Sequence, residues 1–396
     1  MNKSLTLYEQ IATRLKTDGV LATLDLLETH FRREKDFFRL FEVLKLRCRH
    51  KLGLPVMPGR SAECLDAKQQ KKLDEGLIDA CQTVGTLLFR DGNLQHGWAY
   101  LQPVGNRKLN ESLVREIKVD DQNVDLLIDI SLNQGAAPSY GYALTLSQHG
   151  TCNAITAFGV HGTRFDRDTQ ATMAAQLLRH VYDEVVLAIK QDVEKEQQTA
   201  RPDANLRDLL AEHPWLVEQQ ACHLDATHLS SLMTIARLTT SAANHEIALQ
   251  LAEYGAGFPE DLQYGSSPPL ENTYRDHQFF FSALLGENVD AAVSHFKQKC
   301  EAVAQGPDPQ IATEANEILI DFLSRVDRVD EAIAHALNCV LDPSMQTGLA
   351  SDPTEMAQSP TQFESVLAHF QKQDDLLGYA VTLLKRSESN ATREAD

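Results

Sequence analysis

The chain has 396 residues, 43% of them hydrophobic, and its 56 acidic against 37 basic side chains give a formal net charge of −19. That balance repels a phosphate backbone, so a nucleic-acid partner is not expected unless basic side chains gather on one face. No apolar run approaches the roughly eighteen residues of a membrane helix, and the start MNKSLTLYEQIATRL is amphipathic and carries Glu9 rather than reading as a signal peptide, so a cytoplasmic location is expected.

Leu5–Leu15 and Val20–Arg32 predict a helical hairpin around Asp18-Gly19, and Asp36–Leu52 predicts a helix that Gly53-Leu54-Pro55 ends. Arg32, Arg33, Lys35, Arg39, Lys45, Arg47, Arg49 and Lys51 cluster here among Phe37, Phe38, Leu40, Phe41 and Leu44, which reads as the solvated side of a helix. Met57–Gly59 is a connector and Asp66–Leu88 a long helix. Val84–Gly105, VGTLLFRDGNLQHGWAYLQPVG, then writes out a helix, a turn at Asp91-Gly92-Asn93, and a second helix. That second helix opens its apolar face with Leu94, Gly97, Trp98 and Leu101.

Further along, Asn123–Leu132 and Tyr140–Gln148 predict a hairpin across a turn holding Gly135 and Pro138, and Thr169–Glu196 the longest helix, begun by Asp166 and Asp168. Lys118–Asp125 and Cys152–Phe158 are the nearest approaches to strands. Leu206–Gln220, His228–Leu238 and His245–Tyr254 read as shorter helices, and Gly255–Pro269 as a turn-rich segment. Phe280–Phe296, Leu319–Leu337 and Leu367–Leu384 repeat the hairpin phrase. The expected class is therefore all-α: stacked helical hairpins in an irregular α-solenoid. Its expected parts are N-terminal hairpins at 1–105, a central histidine-rich region at 106–265, C-terminal hairpins at 266–388 and a frayed tail at 389–396.

The phrases VGTLLFRDGNLQHGWAYLQPVG, QHGTCNAITAF (148–158), CHLDATHLSSL (222–232) and LLGENVDAAVSHF (284–296) resemble a tetratricopeptide-like repeat protein, and more closely a planctomycete bacterial family of such proteins. The resemblance implies a fold and no activity. The Trp, Tyr and Pro marks of the tetratricopeptide consensus are incomplete and the hairpin spacing is irregular.

Seven cysteines, Cys48, Cys64, Cys81, Cys152, Cys222, Cys300 and Cys339, are odd in number and never in CxxC spacing, which argues against a disulfide framework or a zinc ribbon. Eight of the fourteen histidines fall between His149 and His277. His149, Cys152, His223 and His228 are candidate ligands for zinc or another divalent transition metal, with Glu184 and Asp225 as supporting carboxylates. His180, paired at i, i+4 with Glu184, joins His149 as a candidate acid or base. Asp276 and His277, at a helix opening beside Tyr264, Tyr274 and Phe279–Phe281, suit a small-molecule pocket. No HExxH, GxSxG or phosphate-loop motif accompanies them. Two functions are carried forward: a scaffold that binds a protein or peptide, and an all-helical enzyme built on the central histidines.

Overall fold

The computed structural model describes residues 6–57, 65–218, 222–266, 268–304, 306, 308–339 and 352–393. Leu5, Pro58 and Gly59 of the expected connector, Cys64, Gln219 and Gln220 lie outside them, as does the end of the tail from Glu394. Helix makes up 78% of the structure, and no strand occurs among the described residues. Cys152–Phe158 is helical, and Lys118–Asp125 is an irregular connector leading into a helix. The chain divides into two compact units, Met1–Thr169 and Gln170–Asp396. None of the boundaries expected from the sequence falls at that division.

The first unit contains α1 (Leu7–Arg33), α2 (Phe37–Lys51), α3 (Ala67–Arg90), α4 (Leu94–Leu101), α5 (Arg107–Glu116), α6 (Val124–Ile128) and α7 (Pro138–His161). Helices α2, α3 and α4 each pack on their predecessor. The expected hairpin at Asp18-Gly19 is instead a kink inside α1, where Gly19 has φ 82° and ψ −171°. Gly150 kinks α7 in the same way. One left-handed residue interrupts the helix at these two positions, without the polar turn that separates the hairpin arms elsewhere.

Helix α8 (Arg167–Lys195) leads into the second unit, which continues with α9 (Leu206–Glu212), α10 (Trp215–Glu218), α11 (Ala226–Ala236) and α12 (Ala242–Ala256). It ends with α13 (Thr273–Leu284), α14 (Val289–Ala304), α15 (Pro309–Arg325), α16 (Val329–Cys339), α17 (Pro353–Met356), α18 (Pro360–Lys372) and α19 (Leu376–Arg393). Helices α11 to α16 each pack on the next in chain order, and α18 packs on α19. Two expectations change. The helix expected over 206–220 breaks at His213-Pro214, because proline has no N–H to donate and its ring crowds the preceding turn. The tail expected to fray over 389–396 is helical through Arg393.

One device closes the sharp turns. Lys35, Gly92, Gly286, Asp327 and Asp374 all have positive φ. In each case the next N–H reaches back to a carbonyl of the helix just ended: Asp36 to Phe31 (3.0 Å), Asn93 to Leu88 (2.9 Å), Glu287 to Ser282 (2.8 Å), Arg328 to Leu323 (2.9 Å) and Asp375 to Phe370 (2.9 Å). This is the Schellman closure, which satisfies otherwise unpaired carbonyls while the chain reverses.

In the α3–α4 hairpin, Gly97 faces Phe89 and Gly85 so closely that an added Cβ would sit 2.8 Å from the Phe89 nitrogen and 3.1 Å from the Gly85 oxygen. The next residue, Trp98, is buried with Phe89, Leu94, Leu101, Leu113 and Ile130. Its indole N–H donates to Gln134 Oε1 at 2.5 Å, and Gln134 Nε2 donates to Asp129 Oδ2 at 2.5 Å. Gly97→Ala is expected to cost about 1–3 kcal/mol, because the contact is with backbone that cannot step aside. Trp98→Ala is expected to cost about 3–5 kcal/mol. Denaturant unfolding of both variants checks this, and a loss under about 1 kcal/mol for Trp98→Ala contradicts the packing.

Candidate functional site

His149, His180 and His223 each have a partner of their own. In the first unit, His149 Nε2 stands 3.4 Å from Asp125 Oδ1, and Cys152 is an exposed free thiol. In the second unit, His180 pairs with Glu184 at 3.1 Å, one turn apart on α8, as its spacing predicts. His223 is enclosed: its backbone N–H donates to the Tyr254 hydroxyl at 2.9 Å, Nδ1 lies 3.0 Å from the same hydroxyl, and Nε2 lies 3.1 Å from Asp192 Oδ2. Both ring nitrogens thus already stand within hydrogen-bond distance of a protein oxygen. Burial pushes the Tyr254 hydroxyl up to about 12, against the lowering effect of the His223 N–H.

Asp225 caps α11, accepting from the Thr227 N–H at 2.8 Å, so the helix starts at Ala226, before His228. Among the described residues no three His, Cys, Asp or Glu side chains are grouped to hold a metal ion. The basic cluster of α1 and α2 is largely committed to ion pairs: Arg32 with Glu28 at 2.9 Å, Arg39 with Asp36 at 3.0 Å, Lys45 with Glu42 at 2.7 Å, and Arg47 with Glu28 at 2.8 Å and with Asp25.

The densest polar chemistry surrounds Asp276, on the first turn of α13. Asn272 caps that helix, and Asp276 Oδ2 reaches back to the Asn272 N–H at 2.9 Å. The carboxylate is 1% exposed and accepts from His295 Nε2 at 2.8 Å and from Lys299 Nζ at 2.7 Å, both on α14. Lys299 also pairs with Glu271 at 2.5 Å. Burial works to lower the Lys299 ammonium, but hydrogen bonds to Asp276 and Glu271 outweigh it and leave it raised. Burial, the largest single effect, likewise works to raise Glu271, but the hydrogen bond from Lys299, a backbone hydrogen bond and the nearby positive charge together leave that carboxyl lowered. An unpaired carboxylate at this depth would be very costly, so the α13–α14 hairpin is tied by the need to neutralise Asp276.

His277 serves the core. It is fully buried, its Nδ1 lies 2.6 Å from the Thr273 carbonyl, and its ring stacks at 5.9 Å on Phe281. His245 stacks on Phe281 at 6.4 Å. Nearby, Arg325 of α15 donates to the carbonyls of Arg237 and, at 2.6 Å, of Thr239, placing positive charge at the C-terminal end of α11.

Beside the Asp276 network runs an open groove of about 570 Å³ whose walls come from α9, α12, α13 and the start of α14, including Arg207, Glu253, Arg275, Gln278, Phe279 and Asn288. Arg207 is already engaged, donating twice to Glu253 at 2.6 and 2.8 Å and once to Glu246 at 2.7 Å. Gln278 Nε2 donates to the Ala252 carbonyl at 3.2 Å. One face of Phe279 is covered by the His295 imidazole at 4.5 Å, which connects the groove to Asp276. Arg275 is exposed and, among the described residues, has no ion-pair partner. The sequence reading named Asp276 but missed His295, Lys299 and Arg275. The available signal was the i, i+4 spacing of His295 and Lys299, which puts two hydrogen-bond donors on one face of the helix that follows Asp276.

Comparison of the chain with protein-family models, curated proteins and solved structures gave no match.

His277 gives the fold a pH dependence. Burial, followed by the nearby Arg237 charge, pushes its pKa from 6.5 down to about 3, the Thr273 carbonyl opposing both. With the folded pKa depressed, the unfolded chain binds a proton that the fold refuses between those values. The stability contribution is therefore complete above the unfolded pKa and is lost as pH falls. From about pH 7 to about pH 5 this group alone should remove about 2 kcal/mol. Urea unfolding of His277→Gln should show a pH slope shallower by that amount, and an unchanged slope contradicts the assignment.

Proposed function

We propose that this chain is a helical-repeat scaffold, an irregular tetratricopeptide-like array of hairpins, whose groove along α12 to α14 binds an extended acidic segment of a protein partner. Arg275 carries the reading. It is exposed at a groove whose other guanidinium, on Arg207, is bound by Glu246 and Glu253. The cation left available favours a carboxylate on the occupant, and the half-buried Phe279 ring and the Asn288 and Gln278 amides suit a peptide's apolar and backbone groups. The packing of α11 to α16 in chain order supports the repeat-array part of the proposal.

The test is selection from a displayed random-peptide library, followed by fluorescence anisotropy. Selected peptides should be enriched in Asp and Glu, their affinity should fall with added salt, and Arg275→Glu should weaken it by about tenfold or more, a loss of about 1.4 kcal/mol. Absence of binders, or binders indifferent to Arg275→Glu, contradicts the reading.

The hydrogen bond from His295 to buried Asp276 supports a second reading, an acid/base enzyme, because a carboxylate that fixes an imidazole is a recurrent element of proton-transfer sites. Turnover of any member of a panel of activated esters, phosphates and glycosides that His295→Ala abolishes while helicity is kept would replace the scaffold with the enzyme.

A further inference from the structure

Helix α19 is amphipathic, but its apolar side faces away from the protein. Leu376, Leu377 and Leu384 are 79%, 75% and 66% exposed, with Val381 and Leu383 at 44% and 42%. On the inward side Tyr379 packs on the cluster of Phe363, Val366 and Phe370, and Thr382 is fully buried, its hydroxyl donating to the Gly378 carbonyl at 2.8 Å and lying 3.0 Å from the Thr354 hydroxyl. Gly378 lies so close to Phe370 that an added Cβ would come within 2.7 Å of its ring. An amphipathic helix ordinarily turns its apolar stripe to the core, and a contiguous exposed stripe marks a surface that something covers.

We infer that α19 is the interface of a reversible homodimer, covered by α19 of a second copy running antiparallel across a twofold axis at Ala380. The sequence is self-complementary about that point. Residues equally far before and after 380 oppose each other, which sets Leu376 against Leu384 and Leu377 against Leu383 of the second copy. At the edge of the patch it sets exposed Asp375 against Lys385, and Lys385 has no ion-pair partner among the described residues of its own chain. Ala380, exposed and small, lets the two backbones approach at the axis. Residues 376–384 carry no charged side chain. Two copies with a net charge of −19 each can therefore meet here without placing like charges in contact. Eighteen residues make α19 about 27 Å long. One helical face of that length offers less than the roughly 800 Å² per partner of a standard stable interface, so the dimer dissociates on dilution.

Sedimentation velocity of the full chain tests this. Wild type should shift from monomer to dimer with rising concentration, and Leu377→Glu with Leu384→Glu should remain monomeric with an unchanged helical circular dichroism spectrum. Independently, Ala380→Cys should form an intermolecular disulfide under mild oxidation, with mass spectrometry finding the introduced thiol linked to its counterpart in the second copy, because a bridge requires Cα atoms within about 7 Å. A wild-type protein that stays monomeric, a dimer that survives the glutamate pair, or an introduced thiol that does not link to its counterpart overturns the proposal. If the glutamate pair loses helicity, the wild-type sedimentation and the crosslink at position 380 decide the question.

Discussion

The hairpins rest on one constraint at each sharp turn: a left-handed residue must let the following N–H return to a carbonyl of the helix it leaves. Lys35, Gly92, Gly286, Asp327 and Asp374 meet it. A connection this short leaves little room for successive helices to part, so the apolar face of one closes on the next. Gly85 and Gly97 show how tightly that contact can close. Where the left-handed residue stands alone, as at Gly19 and Gly150, the helix bends without acquiring the polar turn that separates hairpin arms.

Within the second unit, electrostatics adds to this geometry. The α13–α14 turn aligns the two helices, but Asp276 fixes their contact, because its buried carboxylate is paired with Lys299 and hydrogen-bonded by His295 across the hairpin. The same two helices wall the groove, and His295 joins both features by stacking on Phe279. A binding surface on this hairpin therefore inherits its rigidity from a charge that is itself out of reach of a ligand. His277, beside Asp276 in sequence, packs into the core instead, since successive helical residues point about 100° apart.

Much of the architecture was legible in the sequence because local chemistry determines it. Asp91-Gly92-Asn93, Gly286-Glu287-Asn288 and Val326-Asp327-Arg328 occur at turns between helices, as their polar and left-handed-tolerant residues require. The site was less legible because its residues meet through tertiary packing. His149 and His223 stand close in sequence to Cys152 and Asp225, yet their ring partners are Asp125, Tyr254 and Asp192, which no local spacing selects. Asp276 looked like a pocket residue beside aromatics. Its burial and its partners on α14 depend on how two helices cross, which a single amphipathic pattern does not encode.

The Asp276 charge locks the hairpin that lines the groove. Hydrogen–deuterium exchange of the full chain, comparing wild type with Asp276→Asn, tests it most directly. Amides of α13 and α14 should exchange faster together in the variant, as a cooperative unit released by loss of the charge, while those of α1 to α4 keep their wild-type rates. Unchanged protection across α13 and α14 would contradict the account, because the hairpin would then be held by its apolar contacts alone.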